Sequence, residues 1–484
     1  MDKYYKRIWP LLLYIFVFIA TLRPPYYLDL GWHLRYGEYF FRTGSILFDN
    51  PYSSLMREYQ WVNGSWGVDL ITYFLYNSWG FAGLSVAGSI TIILSLFFFS
   101  RALNMNFFQK AVIFPLIIYL ESPVNYFSFR GHQLSFLFIS VLYYLSVNFS
   151  GRQTKRLFFI PLLFLLWSNM HRSSFLGLVI FLLMIIFWLL KSYKGVKKNK
   201  LLKEARFLFG IFTFSCLATL INPFGVNVHL EALKHVNYSL LKEITEYLRL
   251  QPLSLAWFNH SIVFGMTIIV IAFALGKKKL FSLLPIVGMP FVLLAIGFET
   301  RRYAWDAYYT CIPLFILVLK FLEQKLSNWT SKIAILVSLV SIIVAIFVLP
   351  FQSLQNMSWD NFCIVQNYPC SSKAALFLST RVAPPKLFTF YDWGGWLIWN
   401  YPSVKPSVDG RMAVWRDENG YSAFEEYNQY LNGARKINDS EFDAVFMPLV
   451  KSPLYFEIDQ LLKDGSWRII YEDEISVVVV RSPN

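Results

Sequence analysis

Apolar stretches long enough to cross a lipid bilayer recur along the first 350 residues of this chain. Eleven such stretches are centred near residues 15, 91, 114, 141, 163, 183, 213, 268, 289, 313 and 341. The composition agrees, because 56% of the 484 residues are hydrophobic and only 15% are charged, whereas soluble domains are about 25% charged. We therefore predict an all-α polytopic membrane part with about eleven transmembrane helices over residues 1–350.

Basic residues indicate the orientation of these spans. If the N-terminus is cytoplasmic, the inside loops hold 21 Lys and Arg and the outside loops before residue 350 hold 11. Cytoplasmic loops of membrane proteins carry an excess of these residues. The prediction is a multi-pass protein of the cell membrane with an extracytoplasmic C-terminal part. The first span lacks a small-residue cleavage site, so we expect an uncleaved anchor rather than a signal peptide.

The net charge of +14 belongs to the membrane part alone. Residues up to Pro350 hold 32 Lys and Arg against 14 Asp and Glu, whereas residues from Phe351 onward hold 12 against 16. Nucleic-acid binding requires a basic face on a folded domain. Because the one candidate soluble domain is acidic, no nucleic-acid partner is expected.

Residues 351–484 have an ordinary charge density and predict an extracytoplasmic α/β domain. The expected strands lie at 386–390, 443–447 and 475–480, and the expected helices at 374–380, 424–431 and 453–464. Residues 391–396 are expected to form an aromatic turn, and Trp393 in it stacks on a sugar ring, packs a small core or lies on the membrane surface. Cys363 and Cys370 form either a disulfide, which an oxidising compartment allows, or two free thiols.

Polar residues concentrate in two long external loops, 23–80 and 222–260. The first loop carries Asp29, His33, Asp49 and Asp69 among several tryptophans. Shorter turns on the same side carry further basic groups, namely Arg130, His132, His171, Arg172, Arg301 and Arg302. Arginine matches the geometry of a phosphate, so together these groups predict an outer-leaflet cavity that binds a lipid phosphate. Interfacial anchoring is the alternative for each of them taken singly.

A series of short motifs along nearly the whole chain resembles one known group. The motifs are Asp29 with Trp32-His33-Leu34, Gly44 with Asp49, Pro51 and Ser53, Trp61 with Trp66, Arg130-Gly131-His132-Gln133, Trp167 with Asn169 and His171, Asn222-Pro223-Phe224-Gly225, Glu246-Tyr247, Trp393-Gly394-Gly395-Trp396-Leu397 and Asp409-Gly410-Arg411. In this order they resemble a bacterial subgroup of the GT-C class of membrane glycosyltransferases. That class includes protein mannosyltransferases, aminoarabinose transferases and Rgt-type galacturonosyltransferases. The subgroup often has Glu before its second Trp; this chain has Ser65 there, and we expect that role, if kept, at Asp69.

The resemblance implies a transferase that moves a sugar from a polyprenyl-phosphate donor to an extracytoplasmic acceptor, which is a lipid, a glycan or a protein. It implies that Asp29 acts as general base on the acceptor, or holds the acceptor or a divalent metal ion, with His33 and Asp49 as further catalytic candidates. A helix cap is the alternative role of Asp29. The donor phosphate would be bound by Arg130, His132, His171, Arg172, Arg301 and Arg302. Other candidate residues are Asn169, Asn222, Glu246, Trp393, Asp409 and Arg411.

Two other functions stay open at this point. A transporter or flippase for lipid-linked sugars would also need a polar cavity, but it should carry polar residues at mid-span on both leaflets. A non-catalytic envelope assembly protein would bind glycans or partners through residues 351–484. The chain has no P-loop, dinucleotide fingerprint or HExxH motif, so nothing in it indicates ATP-driven transport.

Overall fold

The computed structural model describes residues 2–125, 127–146, 154–193, 198–237, 244–326, 329–348, 357–365, 369–381 and 386–483. The predicted boundary at residues 350 and 351 lies outside the described residues. The helices are α1 Asp2–Thr21, α2 Leu30–Thr43, α3 Trp66–Ala102, α4 Phe107–Glu121, α5 Gly131–Ser146, α6 Thr154–Leu157, α7 Ile160–Met170, α8 Ser174–Ser192, α9 Lys198–Ala218, α10 Asn227–Asn237, α11 Leu255–Gly276, α12 Leu280–Glu299, α13 Arg301–Thr310, α14 Ile312–Lys325, α15 Thr330–Val348, α16 Trp359–Val365, α17 Ser372–Thr380, α18 Gly394–Asn400, α19 Ala423–Leu431 and α20 Pro453–Lys463. The strands are β1 Leu387–Thr389, β2 Ala444–Pro448, β3 Trp467–Glu472 and β4 Ser476–Arg481.

Apolar helices make this chain a membrane protein. Among the described residues, five helices are long and apolar enough to cross a bilayer, namely α3, α8, α11, α12 and α15. A sixth is added if α13 and α14, which meet at a 47° bend, count as one span. Every predicted span centre lies on a helix, but α4, α5 and α7 have only 15, 16 and 11 residues. Eleven crossings therefore stay a prediction.

The chain divides into two compact units. Unit 1 contains Met1–Arg23, Ser85–Ala232 and Lys242–Pro350, and unit 2 contains Pro24–Leu84, Leu233–Leu241 and Phe351–Asn484, each in its described parts. The first external loop thus belongs to the same unit as the C-terminal part, whereas the sequence suggested grouping it with the membrane part. The reason is direct packing of this loop against the C-terminal residues.

Unit 1 has a continuous apolar core. Most of the helices of this unit contribute buried side chains to it, including Phe99, Phe114, Phe136 and Tyr309. The rings of Phe136 and Tyr309 stack with centroids 4.3 Å apart. This packing positions α4, α5 and α13, whose ends carry Glu121, His132 and Arg302.

Helix α3 is interrupted at Gly80. The backbone there has φ 58° and ψ −149°, a conformation that only glycine adopts readily. The 37 residues of α3 therefore form two helical segments. The first contains the apolar stretch 68–76.

A four-stranded mixed sheet organises unit 2. Its strand order is β1-β2-β4-β3, with β1 parallel to β2 and the other pairs antiparallel. All five residues of β2 are buried, which explains its continuous apolar run. The predicted strands at 386–390, 443–447 and 475–480 and the three predicted helices are confirmed, whereas β3 was not anticipated.

Helix α2 packs against α18 at very close range. A Cβ atom at Gly31 would lie 1.8 Å from the carbonyl oxygen of Gly395, so only glycine fits there. Arg35 of α2 donates to the carbonyl oxygens of Ile398 at 3.2 Å and Trp399 at 2.6 Å. A cation there satisfies the exposed carbonyls at the C-terminal end of α18.

Two open questions about the C-terminal part are answered by the structure. Cys363 and Cys370 form a disulfide with a Cα–Cα distance of 4.9 Å. Trp393 is 1% exposed and packs on Phe446 with ring centroids 4.7 Å apart. Trp393 is therefore a core residue, and its stacking on a sugar ring is contradicted by its burial.

Candidate functional site

Asp29 stands directly before the first turn of α2. It occupies the N-cap position, but its side chain makes no capping hydrogen bond. Its Oδ1 instead accepts a hydrogen bond from Trp32 Nε1 at 2.9 Å. The side chain is half-buried. The carboxylate thus makes no hydrogen bond to the backbone amides of the first turn, which argues against the capping role.

The backbone of Gly410 meets this carboxylate. A Cβ atom at Gly410 would lie 1.9 Å from Asp29 Oδ1. The close approach needs glycine, because any side chain would occupy the position of the carboxylate oxygen. This contact therefore explains why the Asp-Gly-Arg motif has glycine at its centre, 381 positions after Asp29.

Asp392 is a second carboxylate in this neighbourhood, which the sequence did not single out. It lies in the 3-10 turn Tyr391–Trp393, just before α18. Burial and the nearby charge of Asp29 raise the pKa of Asp392 to about 6. A carboxylate whose ionisation is disfavoured by the charge of another carboxylate lies in the same neighbourhood as that group. We name Asp29 and Asp392 the acid pair.

His33 is held by Asp69. Its Nδ1 lies 2.5 Å from Asp69 Oδ1, and Asn63 Nδ2 donates to Asp69 Oδ2 at 2.7 Å. The ring of His33 also stacks on Trp32, with centroids 3.6 Å apart. Asp69 is completely buried, so it orients His33, and through Trp32 this group adjoins Asp29.

Asp409 and Arg411 form a buried ion pair beneath Gly410. Arg411 Nε and Nη2 donate to the two oxygens of Asp409, each at 2.8 Å. The first loop completes the network, because Arg411 Nη2 also donates to Asn50 Oδ1 at 2.7 Å and Ser53 Oγ donates to Asp409 at 2.5 Å. Burial acts to raise the pKa of Asp409, but the charge of Arg411 and these hydrogen bonds hold it below its ordinary value. The pair fixes the turn that carries Gly410.

Asp49 does not join this group. It is exposed and accepts a hydrogen bond from Gln60 Nε2 at 3.0 Å. Its neighbour Asn50 is completely buried and reaches Arg411 instead. Asn50 is thus a structural contact of the site that the sequence analysis missed, since an Asn in a loop carries no distinguishing signal.

In unit 1, Glu246 links two of the predicted phosphate-binding arginines. Arg130 Nη1 donates to Glu246 Oε1 at 2.7 Å, and Arg302 Nη1 lies 3.2 Å from Oε2 and 3.0 Å from the Tyr247 hydroxyl. Burial acts to raise the pKa of Glu246, but the two guanidinium groups, with a smaller effect of Arg172, hold it below its ordinary value. Two arginines share one carboxylate, so this arginine cluster keeps a net positive charge.

The histidines predicted for the phosphate site lie next to each other in unit 1. The rings of His132 and His171 are 5.9 Å apart, and His132 Nε2 is 3.9 Å from Asp306 Oδ1. Neither ring nitrogen of His132 has a hydrogen-bond partner in the described part of the chain. His171 Nδ1 lies 2.7 Å from Ser173 Oγ.

Three further candidates of unit 1 are bound to main-chain groups. Arg301 Nη2 donates to the carbonyl oxygen of Pro123 at 2.6 Å. Asn169 donates to the carbonyl oxygen of Ile221 at 2.8 Å, and Asn222 Oδ1 accepts from the backbone of Phe224 at 2.8 Å. The two asparagines thus hold turns together, which explains their identity without a ligand.

No family model and no curated protein matches this sequence. Solved structures do match, and they include the oligosaccharyltransferase AglB of Archaeoglobus fulgidus in complex with an inhibitory peptide and a dolichol-phosphate. That structure has 12% sequence identity and a TM-score of 0.57, over 92% of this chain and 70% of that one. The same enzyme tethered to an acceptor peptide containing the NVT sequon matches over 100% of this chain and 74% of that one, with 12% identity and a TM-score of 0.56.

A complex of the archaeal enzyme with Zn and sulfate also matches, with 12% identity and a TM-score of 0.54 over 90% of this chain and 68% of that one. In this chain no group of three or more His, Cys, Asp or Glu suited to a metal occurs among the described residues. Carboxylates such as those of Asp29 and Asp392 are of the ligand type that a hard divalent cation such as Mg²⁺ uses, together with water and substrate phosphates.

The likeness to these structures extends over nine-tenths or more of the chain, and the motif-based resemblance is confirmed at the level of the fold. This chain has the fold of the oligosaccharyltransferases, which are GT-C class membrane glycosyltransferases.

Proposed function

We propose that this protein is a membrane glycosyltransferase that moves a sugar from a polyprenyl-phosphate donor to an extracytoplasmic acceptor. The acid pair carries the proposal, because Asp29 and Asp392 come from distant parts of the sequence and the charge of Asp29 acts on Asp392, while the backbone of Gly410 packs against the Asp29 carboxylate. The matching archaeal enzyme binds a dolichol-phosphate and an acceptor peptide. A protein acceptor is therefore our first choice over a lipid or a glycan.

In the proposed reaction, a nucleophilic atom of the acceptor attacks the anomeric carbon of the donor sugar. The bond between that carbon and the phosphate oxygen breaks, and the polyprenyl phosphate leaves with the bonding electron pair. The acceptor atom loses one proton, which Asp29 receives. Atoms and charge balance, because the proton then passes from Asp29 to water.

Asp29 suits this role because it is half-buried, accepts a hydrogen bond from Trp32 and has the backbone of Gly410 packed against its carboxylate. A positioned carboxylate is an effective general base only when its reach to the acceptor is fixed. His33, oriented by Asp69, supports the Trp32 ring that donates to Asp29. A divalent cation held by Asp29 and Asp392 would neutralise negative charge on the donor phosphate.

We propose that the arginine cluster binds the leaving phosphate. Arg130 and Arg302 keep one positive charge in excess of Glu246, and charge of that sign stabilises a developing phosphate anion. Arg302→Gln should lower kcat as well as kcat/KM for the donor, because the lost charge would act on the leaving phosphate. Arg249→Gln is a matched control, because Arg249 pairs with Glu299 at 2.6 Å with both side chains largely exposed.

We further propose the predicted topology, with a cytoplasmic N-terminus, about eleven crossings and the acid pair on the extracytoplasmic side. The bias of Lys and Arg toward one set of loops supports it. Labelling of single cysteines introduced at Asp49 and at Lys277 by a membrane-impermeant thiol reagent tests it. Asp49 should react from outside and Lys277 from inside.

The function is tested by transfer of sugar from defined polyprenyl-phosphate sugars, with the full-length protein in nanodiscs. Wild type, Asp29→Asn and the control Asp360→Asn are compared with and without a divalent metal. Asp360 is an exposed acid of unit 2 on α16. We expect Asp29→Asn to lose turnover and Asp360→Asn to keep it. Full turnover by folded Asp29→Asn would reject the catalytic role of Asp29.

A further inference from the structure

Unit 1 contains a cavity of about 320 Å³ that the proposed reaction does not use. Helices α5, α8, α9, α12 and α14 line it. Its wall is largely aliphatic and aromatic, with Tyr143, Phe181, Ile185, Leu208 and Ile316 among the buried lining residues. The volume is in the range of sites that bind small molecules, about 300–1,000 Å³.

Two lysines give this apolar cavity a positive end. Lys191 lies in the last turn of α8 and Lys320 lies on α14, and both line the cavity while being exposed at its edge. In the described part of the chain neither ammonium group has a carboxylate partner. By contrast, Lys200 lies 4.0 Å from the carboxylate of Glu204. The cavity therefore combines an apolar wall with two uncompensated cations.

The cavity is located at the basic ends of the helices. Among its lining residues, Leu103 lies two positions after Arg101, Leu157 lies one position after Arg156 and Pro285 lies six positions after Lys279. These ends are the cytoplasmic ones in the proposed topology. The cytoplasmic leaflet is the one whose anionic lipids attract basic segments.

We infer that this cavity is a binding site for an anionic phospholipid, with part of one acyl chain against the apolar wall and the phosphate between Lys191 and Lys320. Moving an acyl chain from the surrounding lipid to the cavity wall changes the free energy little, because both environments are apolar. The shape of the cavity and the two lysine charges must therefore provide the selectivity. Basic pockets between transmembrane helices on the cytoplasmic side bind anionic head groups for this reason. The site is separate from the acid pair, and the inference does not depend on the catalytic proposal.

Native mass spectrometry of the full-length protein in detergent tests the inference. Dioleoyl phosphatidylglycerol and dioleoyl phosphatidylcholine are titrated onto the wild type and onto the double variant Lys191→Gln/Lys320→Gln. The wild type should prefer phosphatidylglycerol. The double variant should lose roughly thirtyfold in affinity for it, because each lysine near an anionic lipid contributes about 1 kcal/mol. Its affinity for phosphatidylcholine should change little.

Two further variants separate the cavity from general surface charge. Lys277→Gln/Lys279→Gln removes two exposed lysines at the same end that do not line the cavity, and it should bind phosphatidylglycerol as the wild type does. Leu317→Trp places a large ring at a half-buried lining position and should weaken binding of both lipids. Equal losses in the two lysine pairs, or wild-type binding by Lys191→Gln/Lys320→Gln, would overturn the inference. If Leu317→Trp does not fold, the lysine pairs alone decide.

Discussion

Substitution of Gly410 by alanine should abolish most of the transferase activity while leaving the fold intact. The new Cβ atom would lie 1.9 Å from Asp29 Oδ1, whereas ordinary contacts begin at 3.4 Å. The carboxylate must therefore move by about 1.5 Å or more. Since a displacement of about 1 Å in a reacting group can cost roughly a hundredfold, we expect at least that loss, equivalent to about 2.7 kcal/mol in the activation free energy.

The fold should tolerate Gly410→Ala because Asp29 is half-buried and its side chain can rotate. Initial rates of sugar transfer and the thermal midpoint are measured together for the variant, the wild type and Gly265→Ala. An alanine Cβ at Gly265 would have no atom within 4 Å, so this control should keep both properties. If Gly410→Ala is folded and works within threefold of the wild type, the position of Asp29 does not govern the reaction and our reasoning is refuted.

Three further predictions concern the stability of unit 2. Asp409→Asn should lower the free energy of unfolding by about 3–5 kcal/mol, because it leaves the buried charge of Arg411 without its carboxylate partner. Arg416→Gln is the control, because Arg416 and Glu425 form an exposed pair. It should change the free energy of unfolding, measured by denaturant titration, by less than about 1 kcal/mol. Burial acts to raise the pKa of Asp473, but hydrogen bonds from Ser371 and from backbone amides hold it below 3.8. Its stabilising effect is therefore full above that value and lost as the pH falls through the lower folded-state pKa, so the thermal midpoint of Asp473→Asn should depend less on pH below 4 than that of the wild type. Reduction of the disulfide should cost roughly 2–3 kcal/mol by its short loop, and an unchanged midpoint with dithiothreitol would contradict this.

Local patterns predicted much of unit 2 and failed where distant contacts override them. The strands at 387–389, 444–448 and 476–481 were found because they are continuous apolar runs between turn residues. The sequence predicts a turn rich in aromatic residues at 391–396. The structure forms helix α18 from there, since the close contact of Gly395 with Gly31 selects glycine for packing rather than for bending. Strand β3 was missed, and a bulge between Ile469 and Tyr471 interrupts its alternation.

The candidate site shows the same division. Asp29 and His33 were recognised by their order within a set of motifs, and Arg130, Arg302 and Glu246 do come together. Asp392 could not be predicted from the sequence, because it comes close to Asp29 only in the folded chain. It is one of 16 acidic residues in the C-terminal part, and its sequence context does not set it apart from the others.

The contact between α2 and α18 can form only late in the synthesis of the chain. Arg35 and the carbonyl oxygen of Trp399 that it binds are 364 positions apart in the chain, so this hydrogen bond cannot form until the ribosome has made nearly all the intervening helices. Contacts between such distant segments form late and slowly. A nascent chain that has inserted its first spans therefore holds Asp29 without Gly410 or Asp392. Chains that stop short of residue 410 should be inert, and residues 351–484 expressed alone would lack the loop that completes their fold.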